Sequence, residues 1–134
     1  MKFDCKVLSI TDEEFGCSVT FSEKNNGGLD QKNMTLNELK NYTGSYVMLQ
    51  RTYAKSASEK GQIEEDYLYI ETDDPNKSGE LTNFIIHVYP SKLSITYNQD
   101  LIEINFNENA LNHQSLRQII PKIIGDKGQI NFWD

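Results

Sequence analysis

The chain predicts an α+β fold, mainly antiparallel sheet of about six to eight strands, with a short helix near residues 36–41 and an amphipathic helix near 116–124. Three observations carry this. Phe84 to Phe106 reads as three consecutive strands of a meander, and two segments near the N-terminus alternate apolar and polar side chains. Leu116, Ile119, Ile120 and Ile123 recur at the i, i+3, i+4 and i+7 spacing of one helix face.

Taken in order, Lys2 to Ile10 and Glu14 to Ser22 form an expected hairpin. With its reversal centred on Asp12, Phe3 faces Phe21, Cys5 faces Val19 and Val7 faces Cys17. Both thiols then lie on the buried face as small hydrophobes and diagonal neighbours. A disulfide or reactive pair is the alternative, but no basic neighbour or helix N-terminus is evident to stabilise a thiolate.

Residues 23–33, EKNNGGLDQKN, lack periodicity and read as a loop; Gly27 and Gly28 lack the spacing of a phosphate cradle. Thr35 and Glu38 make a capping box, starting the short helix that lays Leu36 and Leu39 on the core. Ser45 to Tyr53 is apolar on both faces, the pattern of a central strand covered on both sides. Arg51 at its end is expected to pair with an acidic strand neighbour, a ligand contact being the alternative. Residues 54–62 read as a second loop, and Tyr67 to Glu71 as a strand with acids on both flanks.

In the meander, Pro90 and Ser91 make the first reversal and Asn98 to Leu101 the second, pairing Val88 with Leu93 and Tyr97 with Ile102. Phe84, Ile86, Val88, Leu93, Ile95, Tyr97, Ile102, Ile104 and Phe106 then share one face. A one-residue slip would send a whole set of them into water. After a polar linker at 107–112, Ser115 and Gln118 make a second capping box. Pro121 should bend the following helix or convert its last turn, and Gly125 supplies a left-handed stop. Residues 129–133 end the chain as a short strand or a packed tail.

A length of 134 residues suits a single domain spanning 1–134. No apolar run approaches the roughly 18 residues that a membrane span needs. The first fifteen residues have no apolar signal-peptide core, so cytoplasmic residence is the expectation. Twenty acidic residues against 13 basic give a net charge of −7, which argues against nucleic acid, whose phosphates require clustered Lys and Arg.

The charge is concentrated. Positions 64–74 hold six acids and no base: Glu64, Glu65, Asp66, Glu71, Asp73 and Asp74. Such a run either solvates a strand edge against unwanted pairing or forms a patch for a basic partner. In the second case Tyr67 or Tyr69 offers an aromatic anchor. A calcium site at Asp73, Asp74 and Asn76 is a weaker alternative, since Pro75 intervenes and the Asp-x-Asp-x-Asp-Gly order is missing. His87 opposite Ser94 resembles a base beside a hydroxyl, but with no orienting acid in the pattern an ordinary cross-strand pair is the preferred reading. No catalytic residues, metal ligands or cofactors are expected.

Tyr46-Val47-Met48-Leu49-Gln50-Arg51, the strand Tyr67-Leu68-Tyr69-Ile70-Glu71, the Ser78-Gly79 turn and the hairpin from Ile85 to Ile95 resemble bacterial polymorphic-toxin immunity proteins, specifically immunity protein family ten. The likeness spans about residues 45 to 106 and departs from the family pattern at Glu80-Leu81-Thr82. The resemblance implies a non-catalytic cytoplasmic inhibitor of a cognate toxin, and nuclease toxins are generally basic. A small-ligand or protein-binding module is the alternative.

Overall fold

The computed structural model describes residues 1–24, 44–53, 66–106 and 113–133. The expected helix near 36–41 lies outside them. The described residues form ten strands and one helix, an α+β arrangement with more strands than expected.

The strands make two five-stranded sheets. The meander sheet runs in the order β1 (Lys2–Cys5), β9 (Asp100–Phe106), β8 (Lys92–Tyr97), β7 (Ile85–Val88), β10 (Gln129–Phe132). Its three central strands are antiparallel, and β1 and β10 add to its edges in parallel. The hairpin sheet is antiparallel throughout, in the order β2 (Val7–Glu13), β3 (Gly16–Ser22), β4 (Tyr46–Thr52), β5 (Tyr67–Thr72), β6 (Gly79–Glu80). The buried side chains of both sheets and of helix α1 (His113–Ile124) form one apolar cluster. The helix packs on β3 and β4 and touches β10.

The N-terminal hairpin differs from expectation. The chain changes sheets at Lys6, so Phe3 and Cys5 pair with Ile104 and Phe106, far along the sequence, and not with Phe21 and Val19. Leu8 and Ile10, rather than Val7, turn towards the core in β2. Two alternations, Phe3-Cys5 and Leu8-Ile10, are out of phase by one residue, and the sheet change at Lys6 accommodates both. The reversal sits at Glu14 and Phe15 rather than Asp12, setting Glu13 opposite Gly16. A Cβ on Gly16 would come within 2.6 Å of the Arg51 carbonyl oxygen, so this close strand approach requires glycine.

All nine meander residues expected on one face are buried. Val88 pairs with Leu93 as expected, but the second register is shifted by two: Tyr97 stands opposite Asp100, and Ile95 opposite Ile102. A shift of two keeps every side chain on its face, so burial does not distinguish the two registers; turn geometry does. Asn98 and Gln99 both have positive φ, 49° and 66°, the two-residue turn whose twist matches a right-twisted hairpin. Glutamine is poorly suited to that conformation, so Gln99→Gly is expected to stabilise the protein by about 0.5–1 kcal/mol, measured by urea denaturation.

Strand β4 is central, as expected, but covered on one face. Val47, Leu49 and Arg51 are buried, whereas Tyr46 and Met48 are half-buried and Gln50 is exposed. Helix α1 remains α-helical through Pro121 to Ile124 and ends at Gly125, whose φ of 57° supplies the left-handed stop.

Candidate functional site

Arg51 is the most deeply buried charged residue described, only 6% exposed. The alternation of β4 turns it inwards beside Val47 and Leu49, beneath the end of α1. Its Nη1 donates to the carbonyls of Ile123 at 3.1 Å and Ile124 at 2.9 Å, two of the helix's terminal acceptors. Its Nε and Nη2 form a fork on the Asp66 carboxylate. The expected ion pair is therefore present, and it also caps a helix from another part of the chain. Hydrogen bonding from the guanidinium holds the Asp66 carboxyl below the usual carboxylate range.

The described members of the acidic run do not form one patch. Asp66 lies before β5 and Asp73 after it, about 20 Å apart at the rise of an extended strand. Between them Tyr67, Tyr69 and Glu71 point to the outer face, while Leu68, Ile70 and Thr72 point inwards. Asp73 accepts from the Tyr46 backbone N–H at 3.4 Å. Asp74 caps the 3-10 turn Pro75–Lys77 by accepting from Asn76 N–H at 3.0 Å, and Ser78 and Thr72 hydroxyls bind its carbonyl. Glu71 accepts from the Tyr46 hydroxyl at 3.3 Å. Burial, reinforced by Glu71, pushes that phenol up to about 12. Glu64 and Glu65 lie outside the described residues. Among the described residues no group of three or more His, Cys, Asp or Glu side chains is arranged to hold a metal ion.

The registers assemble a polar and aromatic surface on the outer face of the hairpin sheet. One row runs Ser18, Gln50, Tyr69, Glu80, and the next Thr20, Met48, Glu71. Tyr67 stacks beside Tyr69 with ring centres 6.2 Å apart and is itself 36% exposed. Among the described residues this face carries no lysine or arginine. Reading β4 as covered on both sides hid Tyr46, Met48 and Gln50 as members of it; their alternation with Val47, Leu49 and Arg51 was the available signal.

On the meander sheet's outer face His87 stands opposite Ser94, as the pattern predicts. Its Nδ1, however, accepts from the Trp133 indole N–H at 3.0 Å, and Tyr89 stacks on Trp133 at 6.1 Å. Lys92 lies 5.0 Å above the Tyr89 ring. The C-terminal segment is thus a paired strand with an aromatic clasp. Cys5 and Cys17 are buried free thiols in different sheets, not neighbours across one hairpin. Burial pushes the Cys5 thiol up, away from reactivity. A recess of about 190 Å³ beside Phe15, Cys17 and Gln50 falls below the roughly 300–1,000 Å³ of ordinary small-molecule sites.

No protein-family model matches the chain, and no curated protein sequence matches it. Among the described residues no helix is long and apolar enough to cross a membrane.

Proposed function

We propose that the chain is a non-catalytic immunity protein that acts in the cytoplasm, binding a cognate bacterial toxin domain and blocking its active site or an adjacent exosite. The observation that carries this reading is the polar and aromatic outer face of the hairpin sheet, where Gln50, Tyr67 and Glu80 are exposed and Tyr69 and Glu71 half-exposed. There the stacked Tyr67 and Tyr69 are flanked by Gln50, Glu71 and Glu80, without a described basic residue. Rigid aromatic side chains on a sheet give contact area at low entropy cost, and the surrounding carboxylates speed encounter with a basic partner such as a nuclease. The resemblance of residues 45 to 106 to immunity proteins supports the same reading. Asp66, Asp73 and Asp74 then act mainly by holding β5 and its turn in place.

The test uses the protein encoded by the adjacent reading frame as the binding partner. Tyr67→Ala with Tyr69→Ala should raise the dissociation rate by about tenfold or more and abolish protection of toxin-expressing cells, while the melting temperature stays near wild type. Glu71→Lys with Glu80→Lys should slow association and flatten its dependence on salt. An adjacent protein that is not bound, or is bound equally well by all these variants, would sink the proposal.

A further inference from the structure

Among the described residues β2 is an edge strand of the hairpin sheet, and a groove lies beside it. Strand β2 is terminal in its sheet, paired with β3 along all seven of its residues. It contains no proline, lysine or arginine; none of its residues is buried, and Ser9, Thr11, Asp12 and Glu13 are exposed. A strand paired on one side presents alternate backbone N–H and C=O groups on the other. Natural edges are usually blunted by charge, proline or a bulge; here the first five residues, Val7 to Thr11, are uncharged, and the charges, the inward-facing Asp12 and the following Glu13, are confined to the last two.

Helix α1 crosses the inner face of the same sheet. Between it and β2 lies an open groove of about 330 Å³, lined by Ile10, Asp12, Ser115, Gln118, Ile119 and Lys122. Ile10 and Ile119 make its apolar floor. The ion pair from Lys122 Nζ to both Asp12 carboxylate oxygens, at 2.7 and 2.8 Å, marks one end.

We propose that this edge and groove take an extended segment of a partner protein as an added strand. Its backbone pairs with β2, and every second side chain turns onto the inner face beside Leu8, Ile10 and Asp12. The position next to Ile10 seats an apolar side chain over Ile119. The end of β2 carries Asp12, Glu13 and Glu14 against the single Lys122, in a chain of net charge −7, so the incoming segment carries lysine or arginine at that end. A second copy of this chain is a poor occupant. A second copy brings its own net charge of −7 to the edge, and pairing centred on Ile10 would set Asp12 against Leu8 and Glu13 against Val7; pairing centred on Ser9, which sets Leu8 against Ile10, is the self-association that the experiment tests. This site is on a different surface from the outer tyrosine face and stands or falls independently of it.

The experiment is a display library of random linear heptapeptides panned against the full-length chain, followed by amide-shift mapping with synthetic versions of the enriched sequences. Enriched peptides should alternate an apolar residue with polar ones, carry a basic residue, and shift amides in 7–13 and 115–122. N-methylation of the peptide backbone at alternate positions should abolish binding, while methylation at the intervening ones leaves it within about threefold. Gln118→Trp, on the exposed helix surface, should fill the groove and weaken binding about tenfold or more without lowering the melting temperature. Ser9→Lys, which puts on the edge the residue that natural edge strands use against added pairing, should weaken binding as well. Four outcomes would each overturn the proposal: no enriched sequence, shifts confined to other surfaces, indifference to backbone methylation, or self-association through β2.

Discussion

Replacing Arg51 with methionine is expected to lower the free energy of unfolding by about 2–5 kcal/mol at neutral pH, read from denaturant titration. The loss comes chiefly from the helix. The carbonyls of Ile123 and Ile124 are buried and receive the guanidinium of Arg51; Ile124 also accepts from the Lys127 N–H at 3.1 Å, so the larger loss, about 1–3 kcal/mol, falls on Ile123. Asp66 contributes less, because its side chain is 40% exposed and water can replace the lost partner. Arg51→Lys should recover only part of the loss, since an ammonium cannot fork onto Asp66 and reach two carbonyls at once.

The same node gives a pH dependence with a definite sign. The folded Asp66 carboxyl titrates below its unfolded value. Its contribution is therefore fully present above the unfolded pKa of about 3.9 and is lost as pH falls through the folded pKa. Between about pH 5 and 2 the wild type should lose more stability than Asp66→Asn, which starts lower and titrates less. Parallel acid profiles for the two proteins would show that Asp66 contributes nothing through its charge.

Ile95→Ala should cost about 2–5 kcal/mol. Ile95 is fully buried on the central strand of the meander sheet, between Ile86 and Ile102 on its two neighbours, where the surroundings have little freedom to collapse into the space. The adjacent Thr96 faces outwards and is exposed, so Thr96→Ala should lie within about 0.5 kcal/mol of wild type. Comparable losses from both substitutions would contradict the inward and outward alternation of β8. Any effect of Ile95→Ala on partner binding should follow the folded fraction alone.

What could be read from the sequence was mostly parity. The nine meander residues reveal their common face because burial repeats every second residue, and this holds whether the Asn98-Gln99 turn is tight or loose. Register beyond parity depended on two positive φ angles that no hydrophobic pattern records. The N-terminal segment carried its own signal, the phase break between Cys5 and Leu8, but extending one alternation through Val7 concealed it. The helix at the C-terminal end was legible from Leu116 to Ile123, and its stop from Gly125.

The candidate site was less legible because proximity in sequence is not proximity on a strand. Six acids within eleven positions look like a patch, yet β5 carries Asp66 and Asp73 to opposite ends and gives the described acids partners within the chain. Arg51 could be expected to meet an acid; that it would also meet Ile123 and Ile124 depended on where the helix docks. The outer tyrosine face required the pairing of β4 with β5, since Gln50 and Tyr69 are adjacent only across the ladder.

The change of sheet at Lys6 also constrains the order in which the chain assembles. Strands β2 to β5 are joined by antiparallel pairings between sequence neighbours, whereas β1 lies parallel to β9 and the terminal amine donates to Leu101, 100 residues away. In synthesis β1 emerges long before its partner β9, and β10, made after the meander, closes the opposite edge. The meander sheet therefore completes at both edges, late and through contacts of high sequence separation. Such a topology folds slowly, and until it closes both sides of the meander remain unpaired.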